Sequence, residues 1–258
     1  MADPLPLRLP PDVWRAGSLD GAAPAGLPSG FAELDAQLPG GGWPTGSLTE
    51  LIARDPGVGE LRLLAPTLRA LTAQRRTVVL LAPPHVPYAP ALAAHGIDTA
   101  WLIVVNAPNA ADRLWAVDQT LKSAAFGALL AWLPHERTRP EHLRRMQAAA
   151  ASSSGAAFVF RPLPAQFQSS PAPLRLLLLP RPHGRLSVQL LKRRGPLLAR
   201  PLLLDLPRSP LAATRAGAAG SGRDEPAAPT RAPSDALGTL MSPHPLLHGQ
   251  HAPRTPLH

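Results

Sequence analysis

The stretch IARDPGVGELRLL, residues 52–64, follows a short apolar run and leads into leucines at helical spacing, so it reads as a strand-to-helix turn. Gly57 and Gly59 are placed like the glycines of a phosphate-binding loop, but Glu60 and Leu61 stand where such a loop carries Lys and then Ser or Thr. In a working loop the backbone amides converge on the phosphates, the lysine neutralises their outer oxygens and the hydroxyl holds magnesium. Only the first of these functions survives here. A carboxylate at Glu60 brings negative charge to the densest part of a triphosphate, and two like charges about 4 Å apart repel by several kcal/mol in a partly buried setting. Leu61 has no oxygen for a metal. Glu60 does suit the first turn of a helix, which favours a carboxylate by roughly 0.3–1 kcal/mol. The two glycines suit a turn that needs left-handed backbone.

On either side of this turn the chain alternates strand-like and helix-like runs. Candidate strands are SLTELI (47–52), TVVLLA (77–82), WLIVV (101–105), ALLAWL (128–133) and AAFVF (156–160), apolar on both faces as covered parallel strands are. Between them Leu61, Leu64, Leu68 and Leu71 share a helical face, and Pro66 is expected to kink that helix or confine it to a short piece. Leu114, Val117, Leu121 and Ala125 repeat the spacing, and RPEHLRRMQAAAA (139–151) reads as a third helix with a basic face. The alternation predicts an α/β fold with a mostly parallel sheet and helices on both faces. Residues 174–206 contain only short apolar runs divided by Pro-His-Gly and Arg-Gly-Pro turns, which predicts a C-terminal antiparallel hairpin at the sheet edge. Residues 1–25 form a Pro-rich segment with a short helix at DVWRAG, 26–206 form the core, and the Ala/Pro-rich stretch 207–258 is expected to be disordered.

The chain has 258 residues, no cysteine and a formal charge of +9. Without cysteine there are no disulfides, thiolate metal sites or cysteine nucleophiles. The charge points to polyanions, nucleic acid first. The same excess of Arg, with abundant Ala and Pro, also follows from a GC-rich coding sequence. No secretory signal or membrane-length apolar run is present, so the expected location is cytoplasmic, with nucleoid association when engaged.

A phosphate-transferring enzyme also needs a carboxylate at another strand end. The strand ends LLAPPH (80–85) and LLAWLPH (129–135) offer Pro83, Pro84, Trp132 and Pro134 instead. The defect recurs at separate places, which argues that hydrolysis is lost and that the chain is no enzyme and takes no cofactor. Gly57 and Gly59 remain as a vestigial phosphate loop. Gly40, Gly41 and Gly42 lack the context of a dinucleotide site and read as a turn. His85 and His135 follow prolines at strand ends but have no third ligand, so no metal site is expected. Tyr88 is read as half-buried against the sheet edge, with base stacking as the other reading. Two basic sets are candidates for DNA or partner binding: Arg137, Arg139, Arg144 and Arg145 on the third helix, and Lys192, Arg193 and Arg194 in the terminal hairpin. The hairpin is the stronger, since KRRG beside an apolar strand reads as a projecting loop. Solvated surface is the plain alternative for each.

The segment LPSGFAELDAQLPGGGWPTGSLTELIARDPGVGELRLL resembles the entry to the RecA core, and the resemblance continues through TVVLLAPPHVPYAPALAAHGID to FGALLAWLPH. VWRAG, PTGSLTEL, PGVGELRLLAPTL and LSVQLLKRRG resemble the ImuA family of RecA/SulA-like proteins associated with translesion DNA synthesis. The resemblance implies a RecA-like P-loop NTPase core with a degenerate nucleotide site. By position Glu60 takes the Walker A Lys place, Leu61 the Ser/Thr place, Pro84 the catalytic Glu place and Trp132 the Walker B Asp place. It implies a non-catalytic accessory protein of the DNA-damage (SOS) response, scaffolding an ImuB-like Y-family polymerase subunit and an error-prone replicative-type polymerase. RecA and DNA are further implied contacts. Two alternatives stand beside this: a divergent DNA-associated ATPase using Arg54 and Asp55, and a SulA-type inhibitor that binds the tubulin-like division protein.

Overall fold

The computed structural model describes residues 25–134 and 136–207. His135, the N-terminal segment up to residue 24 and the tail from residue 208 lie outside the described residues, and with them the helix and the disorder expected there.

Eight strands form one sheet. They are β1 (Leu48–Ala53), β2 (Val78–Leu81), β3 (Leu102–Val105), β4 (Ala128–Trp132), β5 (Ala156–Pro162), β6 (Leu174–Pro180), β7 (Arg185–Lys192) and β8 (Leu202–Asp205). Their order is β3-β2-β4-β5-β1-β6-β7-β8. All neighbours from β3 to β6 are parallel, with Leu51 of β1 opposite Phe160 on one side and Leu176 on the other. β7 and β8 are antiparallel.

Successive side chains on a strand point to opposite faces, and two cores result. On one face α1 (Ala32–Asp35), α2 (Glu60–Ala73) and α3 (Ala89–Ala94) bury Leu34, Leu64, Leu68 and Leu92 against Leu51, Leu80, Leu130 and Phe158. On the other, α4 (Ala110–Ser123) and α5 (Pro140–Ala150) bury Val117, Leu121, Leu143 and Met146 against Val79, Leu81, Leu129 and Val159. The fold is therefore mixed α/β, with a mostly parallel sheet and helices on both faces, as the alternating pattern predicts. No helix of the described residues is long and apolar enough to cross a membrane.

α2 runs from Glu60 to Ala73 with Pro66 inside it, so the helix is not confined to a short piece. A proline there has no N–H to donate to the carbonyl four residues earlier, so one helical hydrogen bond is missing, and its ring is seated under Gly30, where a side-chain Cβ would come within 2.4 Å of Pro66 Cβ. The antiparallel hairpin expected at the C-terminal sheet edge is present in β6, β7 and β8, and the other side of β6 lies parallel to β1. The connection from β5 to β6 holds a 3-10 turn, Leu163–Phe167, instead of an α-helix, so no helical period announced the crossover.

Candidate functional site

β1 emerges between β5 and β6, and the helix after it lies on one face of the sheet while those after β3 and β4 lie on the other. In an open parallel sheet this switch leaves a crevice beyond the carboxyl ends of the strands, where ligands bind. The loop 54–59 sits there. Gly57 (φ 85°) and Gly59 (φ 116°) adopt left-handed backbone, as a turn into α2 requires. Glu60 Oε1 accepts a hydrogen bond from the Gly57 amide (2.7 Å) and Oε2 one from the Gly59 amide (3.1 Å). The Gly57 and Gly59 amides thus hold the carboxylate of Glu60, which is buried. Such charge-assisted bonds are roughly twice as strong as neutral ones, and the loop carries its own anion.

The crevice has two lobes. The first, about 320 Å³, is lined by Leu61, Arg62, Leu92 and His95 with the loop 83–88. The second, about 340 Å³, is lined by Arg54, Asp55, Arg113, Phe160 and Arg161 among others. Glu60, Pro83, Pro84 and Trp132 belong to both. Trp132 stacks on Phe160 with ring centroids 4.4 Å apart and 16° between planes, so the end of β4 presents an aromatic wall to both lobes. Tyr88 is 65% exposed and Val86 93%. This corrects the half-buried tyrosine expected from sequence: the loop 83–88 holds it at the rim of the first lobe instead of against the sheet edge.

Arg62 fastens the last described residues to α2. Its Nε donates to Pro207 O (2.9 Å) and its Nη2 to Leu206 O (3.1 Å) and Gly184 O (3.4 Å). Burial lowers its pKa, and His95 is pushed below the ordinary histidine value by burial and by the Arg62 charge. Arg54 and Asp55 are exposed at the mouth of the second lobe. Among the described residues no His, Asp and Glu gather into a metal-binding group.

Neither basic set lines these lobes. KRRG is not a free projecting loop: it begins at Lys192, the last residue of β7, and two of its cations staple the fold. Lys192 Nζ donates to Ser170 O (2.9 Å), and Arg193 donates to Pro196 O (2.6 Å), Gln37 O (2.6 Å) and Gln37 Oε1 (3.0 Å). Arg194 stays exposed. On α5, Arg145 pairs with Asp118 of α4 (3.3 Å) and Arg144 with Glu141 (3.4 Å). Arg139 is the N-cap residue, its amide donating to His142 Nδ1 (3.2 Å), and Arg137 lies in the turn before it. The basic face is thus partly neutralised within the protein.

Sequence reasoning missed a buried charge cluster. Glu50, in the middle of β1, is fully buried; its Oε2 accepts from Arg175 Nε (2.7 Å) and its Oε1 from Ser170 Oγ (2.6 Å). Arg161 Nη1 lies 3.7 Å from Glu50 Oε1, Arg161 Nη2 donates to Gln168 Oε1 (2.8 Å), and Arg161 Nε has no partner. Burial and the Arg175 charge lower the Arg161 pKa, against the pull of Glu50. The available signal was a lone charge inside an apolar strand, seen in LTELIA, FVFRP and LRLLLL.

Residues 46–157 match the family described as "Cell division inhibitor SulA". That span begins just before β1 and ends inside β5, so it contains the self-occupied loop, α2 and much of both lobes. Two curated relatives carry the same name. The protein of Pectobacterium carotovorum subsp. carotovorum (strain PC1) is 30% identical over 100 residues, 39% of this chain and 59% of that protein. That of Edwardsiella piscicida is 33% identical over 92 residues, 36% of this chain and 54% of that protein. The chain thus spans between half and three fifths of these relatives, and its central segment is similar to the cell division inhibitor SulA.

Proposed function

We propose that this chain is a non-catalytic inhibitor of the SulA kind, acting on cell division by binding a division protein rather than by turning over a nucleotide. The observation that carries the reading is the match of residues 46–157 to a family named for inhibiting cell division. The loop geometry supports its non-catalytic side, because the Gly57 and Gly59 amides are engaged by Glu60 and Trp132 stands where a hydrolase needs an acid. Expression in cells lacking any mutagenic polymerase is expected to produce filaments; normal division at matched levels of folded protein overturns the reading. Equilibrium binding of a labelled ATP analogue is expected to be weak and independent of magnesium, with no hydrolysis. ATP turnover abolished by substituting Gly59 or Glu60 would reinstate the divergent ATPase.

A second reading is a RecA-like core with a degenerate nucleotide site, serving as an accessory of SOS translesion synthesis. It is favoured by what lies outside the matched span. Leu27 bridges to Trp43, and β6, β7 and β8 complete the sheet; these parts carry the LPGGGW stretch of the RecA-core resemblance and the LSVQLLKRRG motif of the ImuA resemblance. Pull-down of the full-length chain with an ImuB-like Y-family subunit and an error-prone polymerase tests it, together with damage-induced mutation frequency. Salt-dependent DNA binding that weakens in the triple variant Lys192→Ala, Arg193→Ala, Arg194→Ala supports direct DNA contact.

A further inference from the structure

The crevice combines largely apolar walls with an uneven set of charges. Arg62 stands on the first lobe, Arg54 and Arg113 on the second. Arg62 is held by the carbonyls of Gly184, Leu206 and Pro207, and Arg113 by those of Ala107 (2.7 Å) and Pro108 (3.5 Å). Carbonyls fix a guanidinium without neutralising it. None of these three arginines is ion-paired to a described carboxylate. Of the two acids lining the lobes, Glu60 is turned inward to the loop amides and Asp55 is exposed at the mouth. The balance is cationic, in a chain of formal charge +9.

We propose that this crevice docks a short extended segment of a partner protein in which every second residue, by turns apolar and acidic, faces the crevice. The inference rests on the reading that the chain acts by binding a protein, and it names the chemistry of what is bound. For an anionic small molecule the loop amides are already taken by Glu60. Trp132 offers little of its ring for a base, since it is buried and stacked on Phe160. An extended segment instead places an apolar side chain in each lobe on either side of Trp132. The carboxylates on the same face then meet guanidinium groups, of which Arg62 and Arg113 are already held in place, so less ordering entropy is lost on binding. Recognition of extended segments by pockets for alternate side chains follows this pattern.

Fluorescence anisotropy on the full-length chain tests the proposal. The probe is a fluorescein-labelled octapeptide with leucine and aspartate by turns at every second position and serine between them, so that both share one face when extended. One control carries lysine for each acid and a second carries serine for each leucine. The acidic apolar peptide is expected to bind at least about tenfold more tightly than either control, a difference of about 1.4 kcal/mol, and to weaken as salt rises. Val86→Glu with Tyr88→Glu, both at the exposed rim, is expected to weaken it by a similar factor while circular dichroism stays unchanged. Arg54→Glu is expected to act in the same direction. Equal binding of the three peptides, indifference to the rim variants, or displacement by ATP or a single-stranded oligonucleotide overturns the proposal. The two readings fail separately: filamentation without peptide binding sinks the docking inference alone, and peptide binding without filamentation sinks the division reading alone.

Discussion

At the scale of single residues, Glu60 ties the loop to its own helix. Removing its carboxylate leaves the Gly57 and Gly59 amides without their partner. Glu60→Ala is therefore expected to cost about 1–3 kcal/mol in urea denaturation, and Glu60→Gln less, since its carbonyl still accepts from one amide. Unchanged stability in both variants would show that the carboxylate does not hold the loop. Glu50 is more costly to disturb, because it is the acid between two buried arginines. Glu50→Ala is expected to lose about 3–5 kcal/mol, whereas replacing Glu50, Arg161 and Arg175 together by apolar residues of similar volume is expected to be neutral or stabilising. His95 supplies a pH dependence. Its folded pKa lies below its unfolded value, so the unfolded chain binds more protons as pH falls through that range and stability declines with it. His95→Gln is expected to flatten thermal stability below about pH 6.5, the unfolded histidine value, and to leave it little changed at pH 8.

At the scale of elements, the turn from β1 to α2 shows how far local patterning carries. Two glycines before a leucine helix read as a left-handed turn, and both have positive φ. Their surroundings differ in a way sequence does not contain. A Cβ at Gly59 would stand 2.6 Å from Leu206 Cδ1, while one at Gly57 would meet nothing within 4 Å. Gly59→Ala is expected to destabilise by roughly 1–3 kcal/mol, and Gly57→Ala by less, since it adds backbone strain alone. Equal losses by calorimetry would contradict this. The same contrast holds for KRRG, legible as a basic turn after a strand. Gln37, which receives Arg193, is distant in sequence, so the projecting loop expected there became an internal staple.

At the scale of the whole molecule, the alternation of apolar runs and helical periods determined an α/β fold with a buried parallel sheet. It did so because side-chain period is a property of near neighbours, two residues apart on a strand and three or four on a helix. That Glu60 and Leu61 follow the two glycines, and that proline and tryptophan stand at the ends of β2 and β4, was equally plain, since residue identity is read directly. What only the tertiary structure decided is what these residues touch. The capture of two amides by Glu60, the stacking of Trp132 on Phe160, the parallel seat of β6 beside β1 and the pairing of Glu50 with Arg175, 125 residues away, all depend on strand order and register. Those are set by the packing of two cores at once, and no local stretch of the chain carries that information.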